Sequence, residues 1–298
     1  MAQPAPELLV DGLHFPEGPR WRTGGDSGTG TLWFSDILAC KVMKVDLAGH
    51  LETVVEVPEM ASGLGWSADG TLHVVSVGDG KLMAVREGGT LVPAADMHAL
   101  VGLMCNDMVM DGKGRAYIGS VGTGVDESKP PGPGNMPHFS HLLLVEPGGE
   151  ARIVADRMTT PNGCVVTADG GTLIVAESFG FRLSAFDIRE DGGLENRRVW
   201  ADLGVPPDGI CLDEEGCLWV AVAYYEHGGS GGYIRVEEGG RVLERIDVAD
   251  YSAYACTLGG TDMRTLFLCE SAVLGRERHA GDGRIRTVQV DVPGTSSP

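Results

Sequence analysis

The sequence predicts an all-β chain folded as a six-bladed β-propeller with four antiparallel strands per blade. Three observations carry this reading. Variants of one short signature open six successive blocks: FPEGPRW (15–21), ASGLGW (61–66), CNDMVM (105–110), PNGCVV (161–166), PDGICL (207–212) and YACTLG (254–259). A second signature follows each at nearly fixed distance, as TLWFSD, TLHVVS, RAYIGS, TLIVAE, CLWVAV and TLFLCE. The runs between them are short, apolar and separated by turns drawn from 45 glycines, with no long helical periodicity. A repeat of roughly 40 to 50 residues with these properties reads as one propeller blade of four strands.

Taken in order, ELLVD near the amino terminus forms a strand at about 7–12 ahead of the first block. Blade one continues through KVMKVDL and LETVVEV, both alternating at period two, and blade two repeats this with KLMAVR and TLVPAAD. Blade three carries the largest insertion, GTGVDESKPPGPGNMPHFSH at 122–141, whose Pro and Gly content predicts a loop placed as a lid over the channel mouth. Smaller insertions follow in blade five (226–232) and blade six (272–283). After TLFLCES only GRIRTVQVD remains, so the last blade is one strand short. The amino-terminal strand is expected to complete it, closing the ring and removing its free edges. The whole chain, 1–298, then forms one propeller domain.

If each block begins at the innermost strand, one position per block faces the channel at the same end. It holds Glu17, Ser62, Asn106, Asn162, Asp208 and Ala255. Two acids and two amides make the oxygen-rich donor mixture a hard cation takes from a protein. Asn-Gly and Asp-Gly are also common tight-turn pairs. Most blocks, however, carry a separate turn signal a few residues later, at Asp69-Gly70, Lys113-Gly114, Asp169-Gly170 and Glu215-Gly216.

Composition excludes several classes. A net charge of −19 leaves no basic face for nucleic acid. No run reaches the length of a transmembrane helix, and the amino terminus lacks the basic region and apolar core of a signal peptide. The seven cysteines are odd in number, lie mostly in apolar runs and form no Cys-x-x-Cys pair, so a reduced, cytoplasmic protein is expected. Gly228 to Gly232 match G-x-S-x-G around Ser230, but a strand follows where the nucleophile elbow needs a helix. His138, His141, His227 and His279 are expected on rim loops, and Tyr224 and Tyr225 on the pocket wall.

The set FPEGPRW, LWFSDI, CNDMVMDGKGRAYIG, PNGCVVTADGGTLIVAES and PDGICLDEEGCLWVA resembles the gluconolactonase, senescence-marker-protein and luciferin-regenerating-enzyme family from about residue 8 to 291. The resemblance implies a six-bladed propeller with one catalytic divalent metal. It places metal ligands at Glu17, Asn162 and Asp208, the presumed acid/base role also at Asp208, and Asn106 beside metal and substrate. Ca2+ is the expected ion, with Zn2+, Mn2+ or Mg2+ as replacements. Sugar-lactonase members carry an arginine where this chain has Met104, and an acid near its GTG segment. Met104 and Cys105 therefore point to a substrate less polar than a sugar lactone. The leading expectation is a metal-dependent hydrolase acting on a lactone or related ester. An isomerase or lyase step on a carbonyl compound at the same site, and a non-catalytic metal-stabilised scaffold, are the alternatives.

Overall fold

The structure is a computed structural model and describes residues 5–24, 30–101, 104–122, 140–223, 231–272 and 279–295. Twenty-four strands form six four-stranded antiparallel sheets. The amino-terminal strand is β1 (Glu7–Leu13). Blade one comprises β2 (Pro16–Arg22), β3 (Thr31–Asp36), β4 (Lys41–Val45) and β5 (Leu51–Glu56). Blade two comprises β6 (Ala61–Trp66), β7 (Leu72–Ser76), β8 (Lys81–Arg86) and β9 (Thr90–Asp96). Blade three comprises β10 (Met104–Met110), β11 (Ala116–Val121), β12 (Ser140–Val145) and β13 (Ala151–Met158). Blade four comprises β14 (Pro161–Val166), β15 (Thr172–Glu177), β16 (Arg182–Ile188) and β17 (Leu194–Asp202). Blade five comprises β18 (Pro207–Leu212), β19 (Leu218–Val222), β20 (Gly232–Val236) and β21 (Val242–Asp247). Blade six comprises β22 (Ser252–Gly259), β23 (Thr265–Ser271), β24 (Gly283–Gln289) and, as the sequence predicts, β1 on its outer edge.

Burial falls from the axis outward. All five residues of β19 are buried, because both faces of an inner strand meet a neighbouring blade. Ile174, Ile210, Leu218 and Val220 thus belong to one cluster shared by blades four and five. The outermost strands keep one wet face, as β5 shows with only Val55 fully buried. Ring closure is held by polar contacts as well as pairing. The Asp36 carboxylate accepts the backbone N–H groups of His14 (3.0 Å) and Phe15 (2.8 Å), and Ser271 Oγ donates to the His14 carbonyl (2.8 Å).

Acids ending the second strand tie blades four and six together internally. Glu177, fully buried, receives Arg182 and Arg197 from the next two strands and the Thr159 N–H. Glu270 receives Arg284 and Arg286. Burial alone would raise the Glu177 carboxyl, but the hydrogen bonds from Arg182, Ser184 and Thr159 and the charge of Arg197 hold it below its ordinary value. Among the described residues no helix is long and apolar enough to cross a membrane.

Candidate functional site

The six innermost strands β2, β6, β10, β14, β18 and β22 all break register near their starts. The bulges fall between Glu17 and Arg20, Ala61 and Leu64, Cys105 and Met108, Pro161 and Cys164, Pro207 and Ile210, and Ala253 and Ala255. A bulge inserts one residue, bends its strand and re-aims a side chain. In blades two to five it holds Ser62, Asn106, Asn162 and Asp208 themselves. Glu17 stands at the edge of its bulge, opposite Ser35.

The glycines in these motifs pack strand against strand. A Cβ on Gly163 would lie 2.6 Å from Gly209 Cα, one on Gly209 2.6 Å from Ala255 Cα, and one on Gly63 2.3 Å from Met108 N. The turns are made elsewhere, at Gly70, Gly114, Gly170 and Gly216, all with φ between +70° and +81°. The Asn-Gly and Asp-Gly pairs of the signatures are therefore strand residues. This level-by-level packing also corrects one sequence expectation. Ala255 sits level with Gly209, and the bulge of β22 falls on Tyr254, so Tyr254 rather than Ala255 occupies the sixth position.

Glu17 and Asp208 are buried, at 7% and 4% exposure, whereas Asn106 and Asn162 remain partly exposed. Gly18 N–H donates to Glu17 Oε2 at 3.0 Å. Burial first, and then the charges of Glu17 and Glu270, push the Cys269 thiol far up. Asn106 Nδ2 donates to the Pro161 carbonyl at 3.2 Å, linking blade three to the residue before Asn162. A carbonyl only accepts, so the nitrogen of Asn106 is the atom facing it and its oxygen is left for the other side. Asn162 Nδ2 likewise donates to Ser178 Oγ at 3.2 Å.

Two carboxylates and two amides near the starts of four innermost strands are a donor set that suits a hard cation. Among the described residues no three His, Cys, Asp or Glu side chains cluster as a metal centre, so a cation there needs the amide oxygens. That donor chemistry favours Ca2+, Mg2+ or Mn2+ over thiolate- and imidazole-bound Zn2+.

The remaining predicted residues are dispersed. Met104 opens β10 half-buried, while Cys105 is 1% exposed in the core cluster between blades two and three, its thiol pushed up to about 12 by burial. His141 stands inside β12, its backbone bonded to Ser120 Oγ, rather than on the predicted loop. His279 is exposed. His138, Tyr224, Tyr225, His227, Ser230 and all but the ends of the 122–141 insertion lie outside the described residues.

The structure adds residues that sequence reasoning missed. Phe15 and Tyr254 meet edge to face at 4.5 Å and, with Ala223 and Ile37, form an apolar cluster beside the first and last blades. Inside the channel Arg20 reaches from blade one across blade two to Asp107 of blade three (3.3 Å) and to the Met108 carbonyl. The signal was present: Asp107 stands where four other blocks have glycine, at Gly18, Gly63, Gly163 and Gly209. The space it fills is left by Gly63, whose Cβ would lie 2.8 Å from Asp107 Oδ1.

The 6-deoxy-6-sulfogluconolactonase of Pseudomonas putida is 23% identical over 287 residues, covering 90% of this chain and 89% of the relative. Among solved structures, a luciferin-regenerating enzyme superposes with a TM-score of 0.80 at 17% identity, covering 99% of this chain and 98% of that one. The calcium-binding protein regucalcin from Agrobacterium tumefaciens gives 0.77 at 22% identity, covering 99% and 96%. Both structures share the fold. The family model of the SMP-30/Gluconolactonase/LRE-like region matches residues 15–272, from the strand that carries Glu17 to the end of β23, and the chain belongs to that family.

Proposed function

We propose that this protein is a metal-dependent hydrolase of a lactone or related ester less polar than a sugar lactone. The observation that carries the reading is the equivalent place of Glu17, Asn106, Asn162 and Asp208 near the starts of four of the six innermost strands, two buried acids and two amides, in a member of this family. The relative that is named a sulfogluconolactonase supports lactone chemistry, and the calcium-binding regucalcin supports a divalent ion.

In this reading Glu17, Asn162 and Asp208 hold the cation. Once bound, a divalent ion would polarise the substrate carbonyl and acidify water. Asp208 takes the proton that water loses as its oxygen attacks the carbonyl carbon, then returns it to the ring oxygen as the C–O bond breaks, leaving a hydroxy acid. Asn106 has committed its nitrogen to Pro161 and presents its oxygen to water, cation or a substrate hydroxyl. Glu17, buried and accepting the Gly18 N–H, contributes the charge that holds the cation. The half-buried Met104, on the strand that carries Asn106, favours a substrate with hydrocarbon surface.

The test compares metal content with turnover on a panel of lactones and esters. Asp208→Asn keeps an oxygen ligand and should retain metal while losing about 100-fold or more in kcat. Glu17→Gln should lose metal affinity, with activity restored in part by excess cation. A fully metallated Asp208→Asn variant with near wild-type turnover would refute the assignment.

A further inference from the structure

We propose that the opposite mouth of the channel is a second binding site, for a small organic monoanion with a carboxylate on an apolar body. The innermost strands run from Glu17 and its counterparts at one end to Arg22 and Trp66 at the other. There they enclose a cavity of about 440 Å3, within the range of roughly 300 to 1,000 Å3 typical of small-molecule sites. Its walls are mainly apolar, with Leu64, Met110, Ile210 and Leu258 among them. Arg20, held by Asp107 and the Met108 carbonyl, is part of this wall and lies on β2 between Glu17 and Arg22.

Among the described residues the charges at this mouth do not cancel. Arg20 is matched by Asp107, and Asp111 by Arg115. Arg22 is left, its guanidinium 4.4 Å from the centre of the Trp66 ring, with no carboxylate in ion-pair reach among the described residues. Its proton affinity shows the same thing. For Arg235, burial lowers the affinity, and the hydrogen bonds to Glu215 and Asp213 more than reverse it. For Arg22 only burial acts, and the affinity falls. Stacking on Trp66 fixes the guanidinium plane and leaves its edge for the two oxygens of one carboxylate. One unmatched charge selects a monoanion, and the apolar walls select its body.

The probe is 1-naphthoate, titrated calorimetrically into the full-length protein, with 1-naphthamide as its neutral counterpart. Saturable one-to-one binding is expected for the carboxylate. Each change removes a charge-assisted hydrogen bond, so Arg22→Gln and the change to naphthamide should each weaken binding by about 10-fold or more. Because Arg22 is exposed, the variant should fold, which its thermal transition checks. Binding should persist in Asp208→Asn and in the presence of chelator, which separates this mouth from the proposed catalytic one. The proposal is overturned if the carboxylate shows no saturable binding at millimolar concentration, if Arg22→Gln binds it as well as wild type, or if Asp208→Asn abolishes binding.

Discussion

Replacing Gly163 by alanine tests whether the glycines of the signature motifs are spacers between blades. The added Cβ would stand 2.6 Å from Gly209 Cα, 2.7 Å from the Asp208 carbonyl oxygen and 2.7 Å from Ile210 N. Carbon atoms in good contact sit at about 3.5 to 4.0 Å, so strands β14 and β18 must part by about 1 Å. All three neighbours are backbone, and no side-chain rotation can relieve the contact. Overpacking costs about 1 to 3 kcal/mol where side chains can adjust, and the upper end or more is expected here. Gly170→Ala is the control. Its φ is +70° with nothing within 4 Å of the added carbon, so only left-handed strain of about 1 to 2 kcal/mol applies. At about 2.1 cal/mol/K of unfolding entropy per residue, each kcal/mol shifts Tm by about 1.6 °C in a chain of this length. Gly163→Ala should therefore lower Tm by about 5 °C and Gly170→Ala by about 2 to 3 °C, with the first alone weakening metal binding, because it displaces the Asp208 backbone. Calorimetry and metal titration of both variants decide the matter. A Gly163→Ala protein as stable as Gly170→Ala, with unchanged metal affinity, would refute the spacer role.

Other outcomes follow from the same geometry. Deleting residues 1–13 removes β1 and bares the edge of β24, so the truncated chain should melt earlier and aggregate in light scattering. Of the seven free thiols only Cys40 is not buried, so a thiol reagent at pH 8 should label one site quickly in the native protein and seven after denaturation. Glu177 has a folded pKa below its ordinary value of 4.5; its contribution is complete above that value and is lost as pH falls through the lowered one. Glu177→Gln should consequently flatten the acid limb of the stability curve below about pH 4.5, with little change in the slope at higher pH.

The ring was legible because its evidence is periodic. The two signatures recur six times, and each recurrence constrains the next, which is why both the blade count and the use of β1 to close blade six could be read from the letters. Residues were harder where the pattern breaks by one. Aligning YAC with PDG puts Ala255 beside Asp208. The bulge that shifts the pairing to Tyr254 depends on backbone packing against Gly209, which no local spacing reveals. On the sequence Cys105, with Met104, points to a less polar pocket, yet neighbours on a strand face opposite sides, and Cys105 takes the core side. His141 follows the same logic: a residue at the end of a Pro-rich stretch was already the second residue of β12.

Arg20 and Asp107 show what a repeat hides. Comparing blocks draws attention to the position they share, and Asp107 was passed over because it replaces a spacer glycine and lies one residue beyond that position. In three dimensions the replacement is possible because Gly63, on the neighbouring strand, leaves the room. The acid placed there would be a buried charge without a partner, which costs several kcal/mol. Arg20 supplies the partner from blade one, and it reaches that acid across β6 because Gly63 and Gly65 give that strand little side-chain bulk. The exception in blade three and the arginine in blade one are thus one feature. It links blades that are not neighbours in the ring and stands between the end that holds Glu17 and Asp208 and the end that holds Arg22.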